Sequence, residues 1–164
     1  MKDQFYINTV EKLKNRQNLA AFIVLLGKVS TLLIYIIYTA FLIFLALTKN
    51  TKLLPAVIVP AVGFLLVSIL RCFLNLPRPY QIIDQLIPLY PKKTVGKSFP
   101  SRHTFSAFVI ATTVSVIFPI LGCFLFVVAT LLAVCRVLSG VHFVRDVVVG
   151  AVLGVIIGLF VNFF

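Results

Sequence analysis

Residues 105–135 form one apolar run, FSAFVIATTVSVIFPILGCFLFVVATLLAVC. A single helix of these 31 residues would be much longer than the hydrocarbon core of a bilayer, which is roughly 30 Å thick. Pro119 and Gly122 lie near the middle of the run, where they favour a turn. The run therefore predicts a hairpin of two short membrane spans, near 104–118 and 121–136.

The rest of the chain is also apolar. Of its 164 residues 61% are hydrophobic, and the mean hydropathy is +1.13, far above the range of soluble domains. Further spans are predicted near 29–47, with an extended or tilted lead-in, and at 53–70 and 141–164. The sequence predicts a single integral membrane domain, 1–164, built as an all-α bundle. About five transmembrane helices are expected, and six is the alternative if the N-terminal region holds another crossing.

Two polar segments flank these spans. Residues 1–28 predict a basic amphipathic N-terminal segment, with 1–18 forming a helix at the membrane interface. Residues 71–103 form the longest polar stretch and predict an interfacial loop. Apolar residues around 82–87 predict a short amphipathic helix within that loop.

Gly150, Gly154 and Gly158 recur at every fourth residue of the last span. That spacing places them on one helix face, where small residues allow another backbone to approach closely. The face is predicted to pack either inside the bundle or between protomers of a homo-oligomer.

The net charge of +11 arises from 15 basic and four acidic residues, and indicates contact with anionic membrane lipids. No basic surface with interleaved aromatic residues lies outside the membrane segments, so nucleic acid is not an expected partner. The three cysteines are widely spaced and predict neither a disulfide framework nor a zinc site.

His142 and Asp146 are four residues apart at the start of the last span, so they share a helix face. The carboxylate can accept a hydrogen bond from one imidazole nitrogen and leave the other nitrogen to act as a nucleophile. Taken alone, Asp146 is equally consistent with a helix cap or an ion pair with Arg145.

Ser101 and His103 open the helix of the predicted hairpin. Ser101 follows a proline and precedes an apolar run, as a helix N-cap does, and the N–H groups of that terminus suit an anion. His103 lies in the first turn, where it can donate a proton to a departing oxygen.

Arg71, Arg78 and Arg136 carry forked donors that match phosphate oxygens. The hairpin returns Arg136 to the membrane face of His103, and the second span ends there at Arg71. Each arginine alone is consistent with an anchor at a helix end. The combination of a nucleophile, an acid and fixed positive charge predicts phosphoryl transfer.

Three stretches carry a family resemblance: RCFLNLPRP at 71–79, PSRH at 100–103 and CRVLSGVHFVRD at 135–146. In order and internal spacing they resemble the three-part signature of the type 2 phosphatidic acid phosphatase family, whose members include membrane lipid phosphatases. The resemblance covers residues 71–146 and is specific, because it fixes six or more positions in three segments.

The resemblance implies a role for each matching residue. His142 would form a phosphohistidine, Asp146 would orient it, and His103 would protonate the leaving alcohol and later activate water. The residues expected to bind phosphate are Arg71, Arg78, Ser101 and Arg136, with Arg102 as an added cation. No metal and no cofactor are expected in phosphatase members.

Three positions depart from the family pattern. Arg71 stands where lysine is usual, Arg102 where glycine is common, and Cys135 where serine is frequent. None of these changes removes a catalytic group. Arg102 favours a diphosphate, or a headgroup with a second negative charge.

The sequence therefore predicts a metal-independent membrane phosphatase that hydrolyses a lipid phosphate or diphosphate. Phosphatidic acid, phosphatidylglycerol phosphate and a polyprenyl phosphate or diphosphate are the candidate substrates. The alternative is a non-catalytic lipid-phosphate binding or transport protein that retains the site.

The expected location is the cell membrane of a prokaryote. Basic residues outside the site are concentrated at its end of the bundle, so the positive-inside rule predicts a cytoplasmic site. The family resemblance implies the opposite side, and the sequence leaves the choice open.

Overall fold

The computed structural model describes residues 2–90 and 95–164. In chain order its helices are α1 Lys2–Lys14, α2 Gln17–Leu47, α3 Leu53–Leu74, α4 Pro79–Ile82, α5 Arg102–Ser115, α6 Pro119–Leu138 and α7 Val144–Leu159, with a 3₁₀ helix at Phe160–Phe163. The residues between these helices form turns and one long loop, and no strand occurs in the described ranges. The all-α prediction is confirmed.

Helix α5 forms the centre of the bundle and packs against α7, α6, α3 and α2. Ten of its 14 residues are buried, and several of these are small or hydroxylated, including Ala107, Ala111 and Thr113. Small side chains let four neighbouring helices approach one central helix closely. By contrast α2 and α3 expose many large apolar side chains, as expected for helices that face lipid.

Residues 105–135 form two helices joined by a turn, as predicted, and the second of them is long enough to cross a membrane. Helix α5 ends at Ser115, and α6 begins at Pro119, where the missing N–H of proline costs no helical hydrogen bond. A Cβ added at Gly122 would lie 2.4 Å from the Ser115 Cα, so only glycine lets α6 leave the turn this close to α5.

The glycine face of α7 packs inside the bundle. A Cβ added at Gly150 would lie 2.8 Å from the Ser101 carbonyl oxygen, and one at Gly154 would lie 2.8 Å from that of Phe105. A Cβ added at Gly158 would lie 2.5 Å from the Thr112 Cβ. Because α5 of the same chain already covers this face, the predicted alternative of a homo-oligomer through these glycines is wrong.

Four described segments are long and apolar enough to cross a membrane: Gln17–Leu47, Leu53–Ile82, Pro119–Leu138 and Val144–Phe163. The span predicted near 29–47 is part of a continuous 31-residue helix, so its lead-in is helical. The span predicted near 104–118 corresponds to α5, whose 14 residues are fewer than in these four segments.

The N-terminal segment and the long loop pack together. The segment predicted at 1–28 is divided between two helices: α1 ends at Lys14, and residues 17–28 form the first part of α2. Tyr6 and Val10 of α1 are buried against Ile83 and Leu86 of the loop. The amphipathic helix predicted around 82–87 is wrong: α4 is a single turn that ends at Ile82, because Ile83 and Leu86 turn inward to meet α1.

Candidate active site

Arg71 is buried at the end of α3, with 4% of its surface exposed. Its Nη1 donates hydrogen bonds to the carbonyl oxygens of Ser98, at 3.2 Å, and of Pro100, and its Nη2 donates to that of Lys97. These bonds use three of the five guanidinium N–H groups. The predicted phosphate ligand therefore also fixes the loop that precedes α5.

Arg78 is buried beside this loop, at the start of α4. Its Nε donates to the Gly96 carbonyl at 3.2 Å, and its Nη1 donates to the Val141 carbonyl at 3.2 Å. The same Nη1 lies 3.5 Å from His142 Nε2. Arg78 thus joins the loop to the segment that carries the predicted nucleophile.

Gln81 and Asn75 shape the same loop. The Gln81 side-chain oxygen accepts hydrogen bonds from the backbone N–H groups of Arg78, at 2.9 Å, and Gly96, at 3.0 Å. Gly96 has φ +61°, and a Cβ there would lie 2.3 Å from the Asn75 side-chain oxygen. A larger residue at position 96 would therefore be strained and would also collide.

His142 and Asp146 meet at the start of α7, as predicted, but His142 lies two residues before the helix begins at Val144, so the two do not share a helix face. His142 Nδ1 lies 3.4 Å from Asp146 Oδ2, and the two side chains are 2% and 0% exposed. With Nδ1–H directed at the carboxylate, the Nε2 lone pair faces the side of Arg78. This orientation suits an attack by Nε2 on a phosphate held near the guanidinium.

Asp146 makes several further contacts. Its Oδ2 accepts hydrogen bonds from Ser98 Oγ at 2.5 Å and from the Phe143 N–H at 3.1 Å, so the carboxylate also caps α7. Arg145 Nε lies 3.6 Å from Oδ1, and that oxygen is buried without a hydrogen bond to any described residue. The cap, the ion pair and the contact with His142 coexist.

Ser101 is the N-cap residue of α5, as predicted, but its hydroxyl does not cap the helix. The hydroxyl is buried and accepts a hydrogen bond from Thr104 Oγ1 at 3.1 Å. The Ser101 N–H donates to the Asp146 carbonyl at 2.9 Å, which ties α5 to α7. His103 lies in the first turn of α5 and is partly buried.

Arg102 lies apart from the contacts around His142. Its side chain is exposed, and its guanidinium lies over the Phe64 ring of α3, 5.7 Å from the ring centroid. This position suits a cation–π contact at the surface of the bundle.

Arg136 occupies a different side of the site. Its Nη1 donates to the Tyr90 hydroxyl at 2.8 Å, and its Nε is buried without a hydrogen-bond partner in the described part of the chain. The side chain lines a cavity of about 100 Å³ between α2 and α6, together with Lys28, Tyr90 and Ser139.

Three residues at the site were missed by the sequence reasoning: Ser98, Tyr90 and Tyr6. The Tyr6 hydroxyl accepts a hydrogen bond from the Val144 N–H at 3.1 Å. Tyr6 and Ser98 lie far in sequence from the residues they contact, and neither belongs to one of the three motif stretches. The contact of Tyr90 with Arg136 was also not predictable, since only the fold brings the two residues together.

No grouping of three or more His, Cys, Asp or Glu side chains suited to a metal ion occurs in residues 2–90 and 95–164. The expectation of metal-independent chemistry stays a prediction.

The family model of the PAP2 superfamily matches residues 51–163. Among proteins of known sequence, the chain is 31% identical over 126 residues to the bacitracin transport permease protein BcrC of Bacillus licheniformis, which covers 70% of this chain. The chain spans 58% of the length of that relative.

Two solved structures share the fold. The crystal structure of LpxE from Aquifex aeolicus aligns with a TM-score of 0.72 and 31% identity, covering 89% of this chain and 86% of that one. The PAP2-type phosphatidylglycerolphosphate phosphatase of Bacillus subtilis aligns with a TM-score of 0.62, covering 98% of this chain and 92% of that one. At 24% identity the second likeness shows the fold alone.

The predicted resemblance is confirmed, because the family match covers all three motif stretches and the aligned LpxE structure has the same helical arrangement. The phosphatases of this family are metal-independent lipid phosphate hydrolases. The chain is an integral membrane protein with bacterial relatives, and it belongs to the PAP2 superfamily of membrane phosphatases.

Proposed function

We propose that this protein hydrolyses a lipid phosphate or diphosphate through a phosphohistidine at His142. The observation that carries the proposal is a buried histidine held between a carboxylate and a guanidinium. His142 Nδ1 faces Asp146 at 3.4 Å, and its Nε2 lies 3.5 Å from Arg78. Two buried arginines, Arg71 and Arg78, outweigh one buried carboxylate, so the site attracts an anion.

The reaction has two steps. In the first, His142 Nε2 attacks phosphorus, the bond from phosphorus to the lipid oxygen breaks, and His103 donates a proton to that oxygen. In the second, His103 takes a proton from water, the water oxygen attacks phosphorus, and the bond from phosphorus to Nε2 breaks to release inorganic phosphate. Asp146 holds the ring and stabilises its positive charge in both steps.

The arginines supply fixed positive charge around the transferred group. Arg71 keeps two guanidinium N–H groups beyond the three that bind the loop. Ser101 and the N–H groups at the start of α5 provide further donors. No step requires a metal ion, and we expect full activity in EDTA.

The fold supports a membrane arrangement. We infer five crossings, formed by the four long segments and by α5 as a short central span shielded from lipid by its neighbours. The N-terminus and the site then share one face, and the Lys49 turn and the C-terminus lie on the other. A lipid substrate keeps its tail in the bilayer while its headgroup reaches the arginines.

The first experiment measures phosphate release from a panel of lipid phosphates and diphosphates by the purified full chain in neutral detergent. Wild type is compared with His142→Ala and with Lys49→Ala, whose exposed lysine lies at the opposite end. Release by wild type and Lys49→Ala that disappears in His142→Ala supports the proposal. Equal release by all three proteins contradicts it.

Rapid acid-free quenching with substrate labelled on phosphorus tests the intermediate. We expect an acid-labile, alkali-stable phosphoryl adduct on wild type and none on His142→Ala. The role of His103 is tested by leaving-group dependence. In His103→Ala, formation of the adduct from p-nitrophenyl phosphate, whose leaving group needs no proton, should slow much less than formation of the adduct from an alkyl phosphate.

A second candidate is a lipid-phosphate binding or transport protein. The name of the BcrC relative, a transport permease, is the observation that favours it. Binding of lipid phosphates by wild type without phosphate release would favour this candidate over catalysis.

The side of the membrane is tested by labelling single cysteines with an impermeant reagent in intact cells, after Cys72, Cys123 and Cys135 are replaced by alanine. Lys14→Cys reports the site end and Lys49→Cys the other. A crossing by α2, which lies between the two positions, predicts that one of them is labelled and the other protected. Labelling of both or of neither would contradict that crossing.

A further inference from the structure

The segment that carries His142 has no regular secondary structure. Residues 139–143 form turns and bends that connect α6 to α7. The backbone groups of such a segment are not fixed by a helical ladder of hydrogen bonds, so other parts of the chain must hold them. Arg78 holds one of them, through its hydrogen bond to the Val141 carbonyl. The N-terminal helix α1 holds others.

The start of α7 is capped by a residue from the other end of the chain. The first N–H groups of a helix have no acceptor within that helix. The N-cap residue is Phe143, whose side chain has no oxygen to accept them. The Tyr6 hydroxyl accepts the hydrogen bond of the Val144 N–H instead, at 3.1 Å. Asp146 Oδ2 accepts that of the Phe143 N–H at 3.1 Å, so α1 and α7 each supply part of the cap.

Packing fixes the position of the Tyr6 hydroxyl. The Tyr6 side chain is buried, and its ring meets the Phe143 ring edge to face, with centroids 5.4 Å apart and an angle of 88° between the planes. One helical turn later, Val10 is also buried against the turn. A Cβ added at Gly140 would lie 3.2 Å from Val10 Cγ2. Helix α1 therefore contacts the turn near both of its ends.

His142 lies midway between these contacts. Gly140 stands two residues before it and Val144 two residues after it. The same short segment also determines where the ring meets Asp146, because the Asp146 N–H donates to the Phe143 carbonyl at 3.0 Å. A catalytic group that is misplaced by about 1 Å can lose activity on the order of a hundredfold. A contact that holds this turn can therefore affect the reaction without touching the substrate.

We propose that Tyr6 is a positioning residue: it holds the Val144 N–H and the Phe143 ring so that His142 Nε2 stays aligned for attack on phosphorus. The proposal rests on the proposed function for the reaction itself. Helix α1 precedes the family match at residues 51–163, so the contribution of Tyr6 is not part of the matched pattern. Because Tyr6 acts through the backbone of the turn, it should affect the rate of attack on bound substrate and leave substrate binding almost unchanged.

The kinetic test uses Tyr6→Phe, which removes the acceptor oxygen and keeps the ring. Tyr35→Phe, at an exposed tyrosine of α2, is the matched control. The substrate is the lipid phosphate of the panel that wild type hydrolyses fastest, in neutral detergent, well below the unfolding temperature of each variant. We expect kcat of Tyr6→Phe to fall on the order of tenfold while KM changes less than about twofold. Unchanged kcat in Tyr6→Phe, or an equal loss in Tyr35→Phe, would overturn the proposal.

Hydrogen–deuterium exchange of the full chain, followed by mass spectrometry, tests the physical basis without substrate. In Tyr6→Phe the amides of residues 140–146 should exchange faster, on the order of tenfold, because the Val144 N–H has lost its acceptor. The amides of α5 and α6 should exchange as in wild type. Unchanged exchange at the turn would overturn the proposal. Faster exchange throughout the bundle would also overturn it, since the lower kcat would then reflect general destabilisation.

Absence of phosphate release by wild type would contradict the proposed function, and hydrogen exchange then tests the contact by itself. Faster exchange confined to residues 140–146 in Tyr6→Phe, with no change in Tyr35→Phe, would still support a turn held by Tyr6. Exchange at the turn equal to that of wild type would show that α1 does not hold it, and the proposal would fail independently of the reaction.

Discussion

The two sides of the site use the same residue type in different ways. On the loop side Arg71 and Arg78 are buried and donate to four backbone carbonyls of residues 96–100 and to that of Val141. On the α6 side Arg136 gives a single hydrogen bond to Tyr90 and faces a cavity. Two arginines of the signature, Arg71 and Arg78, therefore also hold the local backbone in place. The third, Arg136, has guanidinium N–H groups that are not used by the described residues.

The difference follows from what surrounds each guanidinium. The loop before α5 has no regular structure to pair its carbonyls, so buried carbonyls there need side-chain donors. Arg136 extends from a regular helix whose carbonyls are already bonded, so its donors remain for a ligand or a neighbouring side chain. The loop side should govern stability and activity together, and the α6 side should govern substrate binding.

The largest effect is expected for Arg71→Ala. It leaves three carbonyls without their donor, and each buried acceptor left unpaired costs about 1–3 kcal/mol. We expect a lower unfolding temperature in detergent and a loss of kcat/KM on the order of a thousandfold. Arg71→Lys, which keeps the positive charge but lacks the planar guanidinium, should recover part of the unfolding temperature and part of kcat/KM. A variant that loses activity at unchanged stability would show that Arg71 does not hold the loop.

The next effect is expected for Ser98→Ala. The change removes the 2.5 Å hydrogen bond to Asp146 Oδ2 and leaves that oxygen to the Phe143 N–H and His142. We expect kcat to fall on the order of tenfold with little change in KM, because Ser98 positions the carboxylate and is not proposed to touch substrate. Ser98→Thr should restore most of kcat.

Ser68→Ala is the matched control for Ser98→Ala. Its exposed hydroxyl bonds only within its own helix, to the Phe64 carbonyl at 2.7 Å. An equal loss of kcat in both variants would show that the effect of Ser98→Ala is general rather than specific to Asp146.

Arg136→Gln tests the α6 side directly. The substitution keeps a donor for Tyr90 and removes the positive charge, so we expect KM to rise on the order of tenfold or more. The unfolding temperature should stay close to that of wild type, unlike that of Arg71→Ala. A loss of stability as large as that of Arg71→Ala would remove the distinction between the two sides.

The smallest effect is expected for Arg102→Gln. The exposed guanidinium lies over Phe64, a contact worth about 0.5–1 kcal/mol. We expect kcat/KM for a lipid monophosphate to change less than about twofold. A tenfold loss would instead support the sequence-based interpretation of Arg102 as a phosphate ligand.

Much of the fold was predictable, because membrane spans depend on long apolar runs that any folded state must bury or expose to lipid. Pro119 and Gly122 predicted the hairpin, and the glycine spacing on α7 predicted a close helix contact. The partner of that contact was not predictable, since small residues suit a neighbouring helix of the same chain as well as one of a second copy. The prediction of a helix around 82–87 was wrong because Ile83 and Leu86 pack on α1. The local sequence pattern of the loop does not reveal that contact.

The site divides in the same way. By itself the sequence predicted that His142 and Asp146 meet, and it identified the family from three fixed spacings. The reason differs from the prediction, because His142 lies before α7 and meets Asp146 at the turn that starts the helix, not on a shared helix face. Only the tertiary structure decided which acceptors each arginine binds, that Ser98 and Tyr90 join the site, and that Lys28 lines a cavity with Arg136. These contacts join residues from 18 to more than 100 positions apart. No local periodicity constrains such pairs, and the packing of the helices sets them.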